Sequence, residues 1–305
     1  MSADELVAPS RISGSTSLVG VIGWPVGGSL SPAIHNAAFR ALGLDWVYVP
    51  LAVPPGALAE AVAGLRALGF AGANVTMPHK AEAAAALEDL SEDAERLGAV
   101  NTIVIGPEGS SGHNTDVTGF DRFLREDAGF EPAGRTAVLF GAGGAARACA
   151  LALARGGVSR LVVAARDPER GAALGRAVED LVDAEVTSWD LREGDLDPDL
   201  VVNATPVGGA GEELPLPALG EATVVVDLLY RPATTPLLAA ARGAGARAFG
   251  GLGTLLRQGA LSFELWTGLV PPLEVMSAAA VAALAESPSD TDLDAARRAR
   301  DRPTA

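Results

Sequence analysis

The sequence predicts an α/β protein built as two successive halves, each a mostly parallel sheet covered by helices. Three observations predict it. Short apolar or β-branched runs alternate with segments whose apolar residues recur near every 3.6 positions, and Gly or Pro separates them. The alternation stops around 129–134, where Gly, Pro and charge cluster, and then restarts. A length of 305 residues, 49% hydrophobic and 20% charged, suits about two domains of ~150 residues and excludes wholesale disorder.

In the first half an apolar run over 18–23 ends at Gly and Pro and reads as a strand. Pro32 opens a helix that continues over 33–42 to a stop at Gly43. Residues 46–51 are β-branched and aromatic, hence a strand; 55–68 has helical spacing and stops at Gly69. A strand over 70–75, an Ala-rich helix over 78–87 and a strand over 99–105 follow. The second half gives a strand over 136–140, a helix over 144–155, a strand over 161–165 and a helix over 168–181. Then come a strand end at 200–203, an all-apolar strand over 223–228 interrupted only by Asp227, and a helix over 235–242. Two late helices, over 255–266 and 272–286, have no strand after them and are expected to return to the first half. The resulting division is a polar leader over 1–17, a first domain over 18–116 joined by the helices over 257–285, a second domain over 117–256, and a polar tail over 286–305.

Composition removes several function classes. A net charge of −15 with no basic run is unsuited to nucleic acid and is repelled by anionic membrane surfaces. The N-terminal stretch lacks a basic-then-apolar signal pattern, and no apolar run approaches the ~18 residues of a membrane span, so a soluble cytoplasmic chain is expected. Cys149 is the only cysteine, which excludes an intrachain disulfide and a multi-cysteine zinc site. His35, His79 and His113 show no HExxH-type spacing, so no metal is expected.

One count stands out. Of 23 basic residues other than histidine, 22 are Arg and one, Lys80, is Lys. A bias against Lys would leave such a stray by chance. The alternative is that Lys80 does what a guanidinium cannot, since a lysine ammonium can give up and take back a proton.

Residues 136–148, TAVLFGAGGAARA, run from an apolar strand through Gly141, Ala142, Gly143, Gly144, Ala145 and Ala146 into a helix. This fits the dinucleotide fingerprint G-x-G-x-x-G/A. Gly141 permits the tight turn, Gly143 lets backbone approach a pyrophosphate, Ala146 lets the helix pack, and the helix N-terminus faces the phosphates. At the end of the next strand, Arg166 favours the 2′-phosphate of NADP over the ribose hydroxyl of NAD. Asp167, awkward beside a phosphate, reads instead as the N-cap of the helix opened by Pro168.

Three motifs in the first half carry polar chemistry. In GSLSPAIHN, Ser29 and Ser31 precede a Pro-started helix and suit a small anionic group, or Ser31 simply caps that helix. In NVTMPHK, Asn74, Thr76 and Lys80 follow a strand, where open α/β sheets bind ligands. Lys80 is expected about two residues inside the next helix, where the dipole opposes an ammonium. The third is Asn114-Thr115-Asp116, with Asn101 upstream; an Asp near the Lys makes a proton-transfer and orienting pair.

Taken together and in order, SLSPAIHN, GANVTMPHK, GAVNT, HNTD, GAGGAARA, VVNATPVG, LLYRPATTPLL and GLGTLLRQGALSFELWTG closely resemble shikimate dehydrogenase of the bacterial single-function type, over nearly all of 18–285. The resemblance implies an N-terminal α/β substrate domain, a C-terminal Rossmann NADP-binding domain, and NADPH-linked reduction of 3-dehydroshikimate to shikimate, on the route to aromatic amino acids. It matches Lys80 and Asp116 to the catalytic pair and Ser29 and Ser31 to the carboxylate-binding hydroxyls. Asn74, Thr76, Asn101 and Gln258 match groups that hold the ring hydroxyls, and Tyr230 lies near the carboxylate end. Asn203, Thr205 and Gly251 join the glycine loop, including Ala142 and Ala145, and Arg166 as cofactor residues. The resemblance allows monomers and dimers. Departures are Ala165 and Asp167 around the kept Arg166, and Thr254 where the family usually has Met near the nicotinamide. Two rivals share the fold: an NAD-preferring quinate/shikimate dehydrogenase, which Arg166 opposes, and a non-catalytic regulator, which an intact Lys–Asp pair opposes.

Overall fold

The computed structural model describes residues 12–189 and 196–286. Most of the expected leader and nearly all of the expected tail lie outside the described residues.

Two six-stranded sheets form. The first part of the chain gives β1 (Ser17–Gly23), α1 (Ser31–Ala41), β2 (Trp46–Ala52), α2 (Leu58–Ala67), β3 (Gly72–Val75) and α3 (Lys80–Ala86). It continues with β4 (Asp89–Leu90), α4 (Glu92–Leu97), β5 (Thr102–Gly106) and β6 (Gly109–His113). This sheet has the order β2-β1-β3-β5-β6-β4. Its β1–β2, β1–β3 and β4–β6 pairs are parallel, while β3–β5 and β5–β6 are antiparallel. The sequence predicts one strand over 99–105 where the structure has a hairpin, β5–β6. Its second strand, Gly-Ser-Ser-Gly-His, has no apolar alternation to betray it.

α5 (Thr115–Arg122) leads by a π-helical turn, Phe123–Asp127, to the second sheet. There follow β7 (Thr136–Phe140), α6 (Gly144–Arg155), β8 (Arg160–Ala164), α7 (Pro168–Val178), β9 (Ala184–Thr187), β10 (Leu200–Asn203), β11 (Val224–Asp227), α8 (Pro236–Gly243) and β12 (Arg247–Gly250). All five pairings are parallel, in the order β12-β11-β10-β7-β8-β9. Counted within this sheet the order is 3-2-1-4-5-6 read from β9, the doubly wound dinucleotide-binding topology, with its switch point between β7 and β10. Strands buried on both faces explain the runs Val-Leu-Phe, Leu-Val-Val and Val-Val-Val.

The last helices, α9 (Leu252–Thr267) and α10 (Leu273–Glu286), return to the first sheet. Phe263, Trp266 and Met276 join Val19, Phe39 and Tyr48 in one core. α5 packs against both α9 and α6 and so joins the two sheets. The close α5–α9 crossing needs Gly119: a Cβ there would lie 2.8 Å from the backbone N of Gln258. Neither α5 nor the π-turn was anticipated, because the polar NTDVTGFDR stretch shows only one buried face.

Candidate active site

A cavity of about 470 Å³ opens where the C-terminal ends of β1 and β3 face α5, α9 and the start of α6. Lys80 and Asp116 meet in it. Lys80 Nζ donates to Asp116 Oδ2 at 2.6 Å, with both side chains about one-fifth exposed (22% and 18%). Lys80 is the first residue of α3, not a position inside it as the sequence reading expects; the turn at Thr76–His79 holds the Met77–Pro78 segment outside the helix. Its ammonium therefore stands at the end where the α3 dipole opposes it, while Asp116 lies in the first turn of α5, where the dipole favours a carboxylate. A Cβ built on Gly144 would sit 3.6 Å from Lys80 Cδ, so the lysine stem runs along the start of α6. This places the ammonium at the seam between the first sheet and the glycine loop.

Asp116 is held from both sides. Asn101 Nδ2 donates to its Oδ1 at 2.8 Å, and Asn114 Oδ1 accepts its backbone N–H at 3.2 Å. Each carboxylate oxygen keeps acceptor capacity for a further hydroxyl. Behind this pair lies a buried polar network. Asn101 Oδ1 accepts from Thr115 N at 2.8 Å and from Thr102 Oγ1 at 3.0 Å; Ser262 Oγ lies 2.8 Å from Thr102 Oγ1. Asn74 Nδ2 donates to Ser262 Oγ at 2.9 Å, and Tyr48 OH donates to Asn74 Oδ1 at 2.8 Å. Burial pushes the Tyr48 phenol up, which keeps it a donor. Sequence reasoning missed Tyr48 and Ser262, and gave Thr102 and Thr115, although they fall inside quoted motifs, no role of their own. They come from four separate elements, and only the fold assembles them.

Ser29, Ser31, Thr76, Asn101, Tyr230 and Gln258 all line the cavity with the pair. Burial raises the Tyr230 phenol. The capping expected of Ser31 is not what the structure has. Leu30 is the N-cap without a side-chain bond, Ser31 is the first helical residue, and Ser29 Oγ accepts the Ser31 N–H at 3.2 Å. Asn74 also borders the cavity, but it is only 6% exposed and its amide is committed to Tyr48, Asn101 O, Thr102 and Ser262. The resemblance makes it a ring-hydroxyl ligand, and these bonds fix its amide at the cavity wall. Thr254 lines the cavity too, its buried hydroxyl without a hydrogen-bond partner among the described residues.

Of the expected cofactor residues, Ala145 and Gly251 reach this cavity. Gly141, Ala142, Gly143 and Gly144 form the turn from β7 into α6 beside it. The turn fits a dinucleotide pyrophosphate. Gly141 has φ +109°, and a Cβ there would lie 2.9 Å from Thr205 Cγ2. Gly143 caps α6 with no side chain over the first N–H groups, leaving them to an anion. Asn203 is fully buried: its Nδ2 donates to Val207 O and Asp227 Oδ1, and its Oδ1 accepts from Thr205 N and Oγ1. The resemblance makes it a cofactor residue, and these bonds fix its side chain within the loop after β10. Arg166 is exposed at the end of β8. Asp167 caps α7, its Oδ1 accepting from Glu169 N at 3.0 Å and Arg170 N at 3.1 Å. Arg170, in the first turn of α7, adds a second exposed guanidinium that the sequence reading passed over, its Nε 3.4 Å from Asp167 Oδ2. Among the described residues no group of three or more His, Cys, Asp or Glu is placed to hold a metal.

Comparison with known proteins agrees with this geometry. Residues 21–103 match the shikimate dehydrogenase substrate binding domain, and residues 251–281 match the shikimate 5′-dehydrogenase C-terminal domain. A protein of Geobacter metallireducens named shikimate dehydrogenase (NADP(+)) is 44% identical over 291 residues, covering 90% of this chain and 99% of that one. The chain belongs to the shikimate dehydrogenase family. A crystal structure of a shikimate dehydrogenase in complex with NADP+ superposes with a TM-score of 0.84 at 40% identity, covering 90% of this chain and 98% of that chain. The family fold also extends to other substrates. A quinate dehydrogenase from Corynebacterium glutamicum in complex with NAD has a TM-score of 0.80 at 33% identity, covering 88% of this chain and 99% of that chain.

Proposed function

We propose that this chain is an NADP-dependent shikimate dehydrogenase that reversibly reduces 3-dehydroshikimate to shikimate. The observation that carries the reading is the Lys80–Asp116 pair, 2.6 Å apart, set between a hydroxyl-lined cavity and a glycine loop shaped for a dinucleotide. NADPH, when bound, supplies the hydride for the carbonyl carbon. Lys80 gives a proton from Nζ to the oxygen that becomes the hydroxyl, and takes it back in the oxidation direction. Asp116 accepts from Lys80 and from Asn101, which fixes the ammonium and leaves lone pairs for the substrate's neighbouring hydroxyl.

Ser29 and Ser31 offer hydroxyls to the substrate carboxylate at the mouth of α1, with Tyr230 across the cavity. Thr76, Asn101 and Gln258 present polar groups to the ring hydroxyls. The backbone of the 141–145 turn and the N-terminus of α6 hold the pyrophosphate, and Arg166 and Arg170 hold the 2′-phosphate. Asp167 Oδ1 is occupied as the cap of α7 and Oδ2 lies 3.4 Å from Arg170 Nε, so the carboxylate is turned toward α7, which supports NADP over NAD. The first sheet with α9 and α10 acts as the substrate half and the second sheet as the cofactor half. A cytoplasmic setting agrees with the single, buried, unpaired Cys149.

The test is a steady-state comparison of shikimate and quinate oxidation, each with NADP+ and NAD+. The expected result is a preference for shikimate with NADP+ of more than about tenfold in kcat/KM, since each such factor needs only ~1.4 kcal/mol of differential binding. Preference for NAD+ would overturn the cofactor assignment, and no turnover of shikimate would overturn the reaction.

A further inference from the structure

Arg166 follows the end of β8 and forms no ion pair among the described residues. It is nonetheless held. Its guanidinium carbon lies 5.4 Å from the centroid of the Trp189 ring, inside the ~6 Å range of a cation–π contact. Trp189 stands two residues beyond β9 and packs edge-on against Phe140, with ring centroids 5.6 Å apart at 69°. Phe140 is fully buried and immediately precedes Gly141. The aromatic shelf under Arg166 is therefore anchored on the strand that delivers the glycine loop. The neighbours of Arg166 leave it much of the recognition: Ala165 has no polar side chain, and the Asp167 carboxylate caps α7.

We propose that Trp189 is a specificity-determining residue for a 2′-phosphorylated nucleotide, acting by presetting Arg166. This rests on the reading of Arg166 as a 2′-phosphate ligand. A guanidinium held over an indole ring by a cation–π contact keeps N–H donors free to grip phosphate oxygens, because the ring offers them no lone pair. A free arginine loses side-chain freedom when it closes on an anion; one already held over a ring has less to lose. The gain applies only to a ligand that carries the 2′-phosphate, so the shelf discriminates without touching the nucleotide.

The test is calorimetric binding to the full chain of adenosine 2′,5′-bisphosphate and adenosine 5′-monophosphate, which differ only in the 2′-phosphate. Trp189→Leu is expected to weaken the bisphosphate about three- to tenfold, to leave the monophosphate within about twofold, and to add nothing on top of Arg166→Leu. Trp189→Phe, which keeps an aromatic face, should restore most of the loss and guards against a folding defect. Equal weakening of both nucleotides would make Trp189 an adenine contact and overturn the proposal. No weakening by Trp189→Leu, with Arg166→Leu still weakening the bisphosphate, would overturn it and leave the Arg166 reading standing. No weakening by Arg166→Leu would overturn both.

Discussion

At the scale of single residues, the chain keeps one lysine among 23 basic residues, and the fold sets it against Asp116 in the cavity. A bias against Lys explains why the other basic positions are Arg. The proposed proton transfer would explain why Lys80 is not, because a guanidinium stays protonated. Lys80→Arg would keep the charge and the attraction to Asp116 while removing the proton path. The lone lysine, the glycine loop, Arg166 and the serine pair were legible in the sequence because each sits in a short contiguous motif. The supporting network was not. Tyr48, Thr102, Thr115 and Ser262 are ordinary polar residues on four different elements, and only tertiary packing brings their hydroxyls together around Asn74 and Asn101.

At the scale of elements, the site depends on how closely α9 lies on α5. Gly119 allows that approach, and Gln258, on the facing turn of α9, lines the cavity. Gly119→Ala would put a methyl 2.8 Å from Gln258 N and Cβ, contacts that only a backbone shift can relieve. We expect a loss of about 1–3 kcal/mol in urea unfolding from the overpacking, together with a raised KM for shikimate and a KM for NADP+ that changes much less. Unchanged KM for shikimate would show that the crossing does not position Gln258. Element type was readable wherever apolar period was strong, as in the buried parallel strands of the second sheet. It failed at β4, α4, β6, α5, β9 and β12, short or polar elements whose conformation tertiary contacts decide.

At the scale of the whole molecule, the first sheet and the C-terminal helices share a core closed over His35. Its ring is 1% exposed, stacks on Tyr48 at 4.5 Å, and leaves Nδ1 without a partner among the described residues. Burial lowers its pKa from 6.5 to about 3. The unfolded chain therefore takes a proton below pH 6.5 that the folded chain refuses, so stability is full above that pH and declines as pH falls toward 3. By pH 5 the loss from this group is about 2 kcal/mol. The partly buried His113, also lowered by burial, adds in the same direction. Urea midpoints at pH 7 and pH 5 check this: the wild-type chain should lose stability across the interval, and His35→Phe, which keeps a ring in the stack, should lose much less. Equal losses would mean that other groups govern the acid limb. The claim on which everything else depends is narrower, that Lys80 moves the proton. It is tested most directly by the turnover of Lys80→Arg with shikimate and NADP+, measured beside equilibrium binding of shikimate. The expected result is a fall in kcat of about 10²–10⁴-fold with binding nearly kept. A Lys80→Arg enzyme retaining most of the wild-type kcat would contradict it.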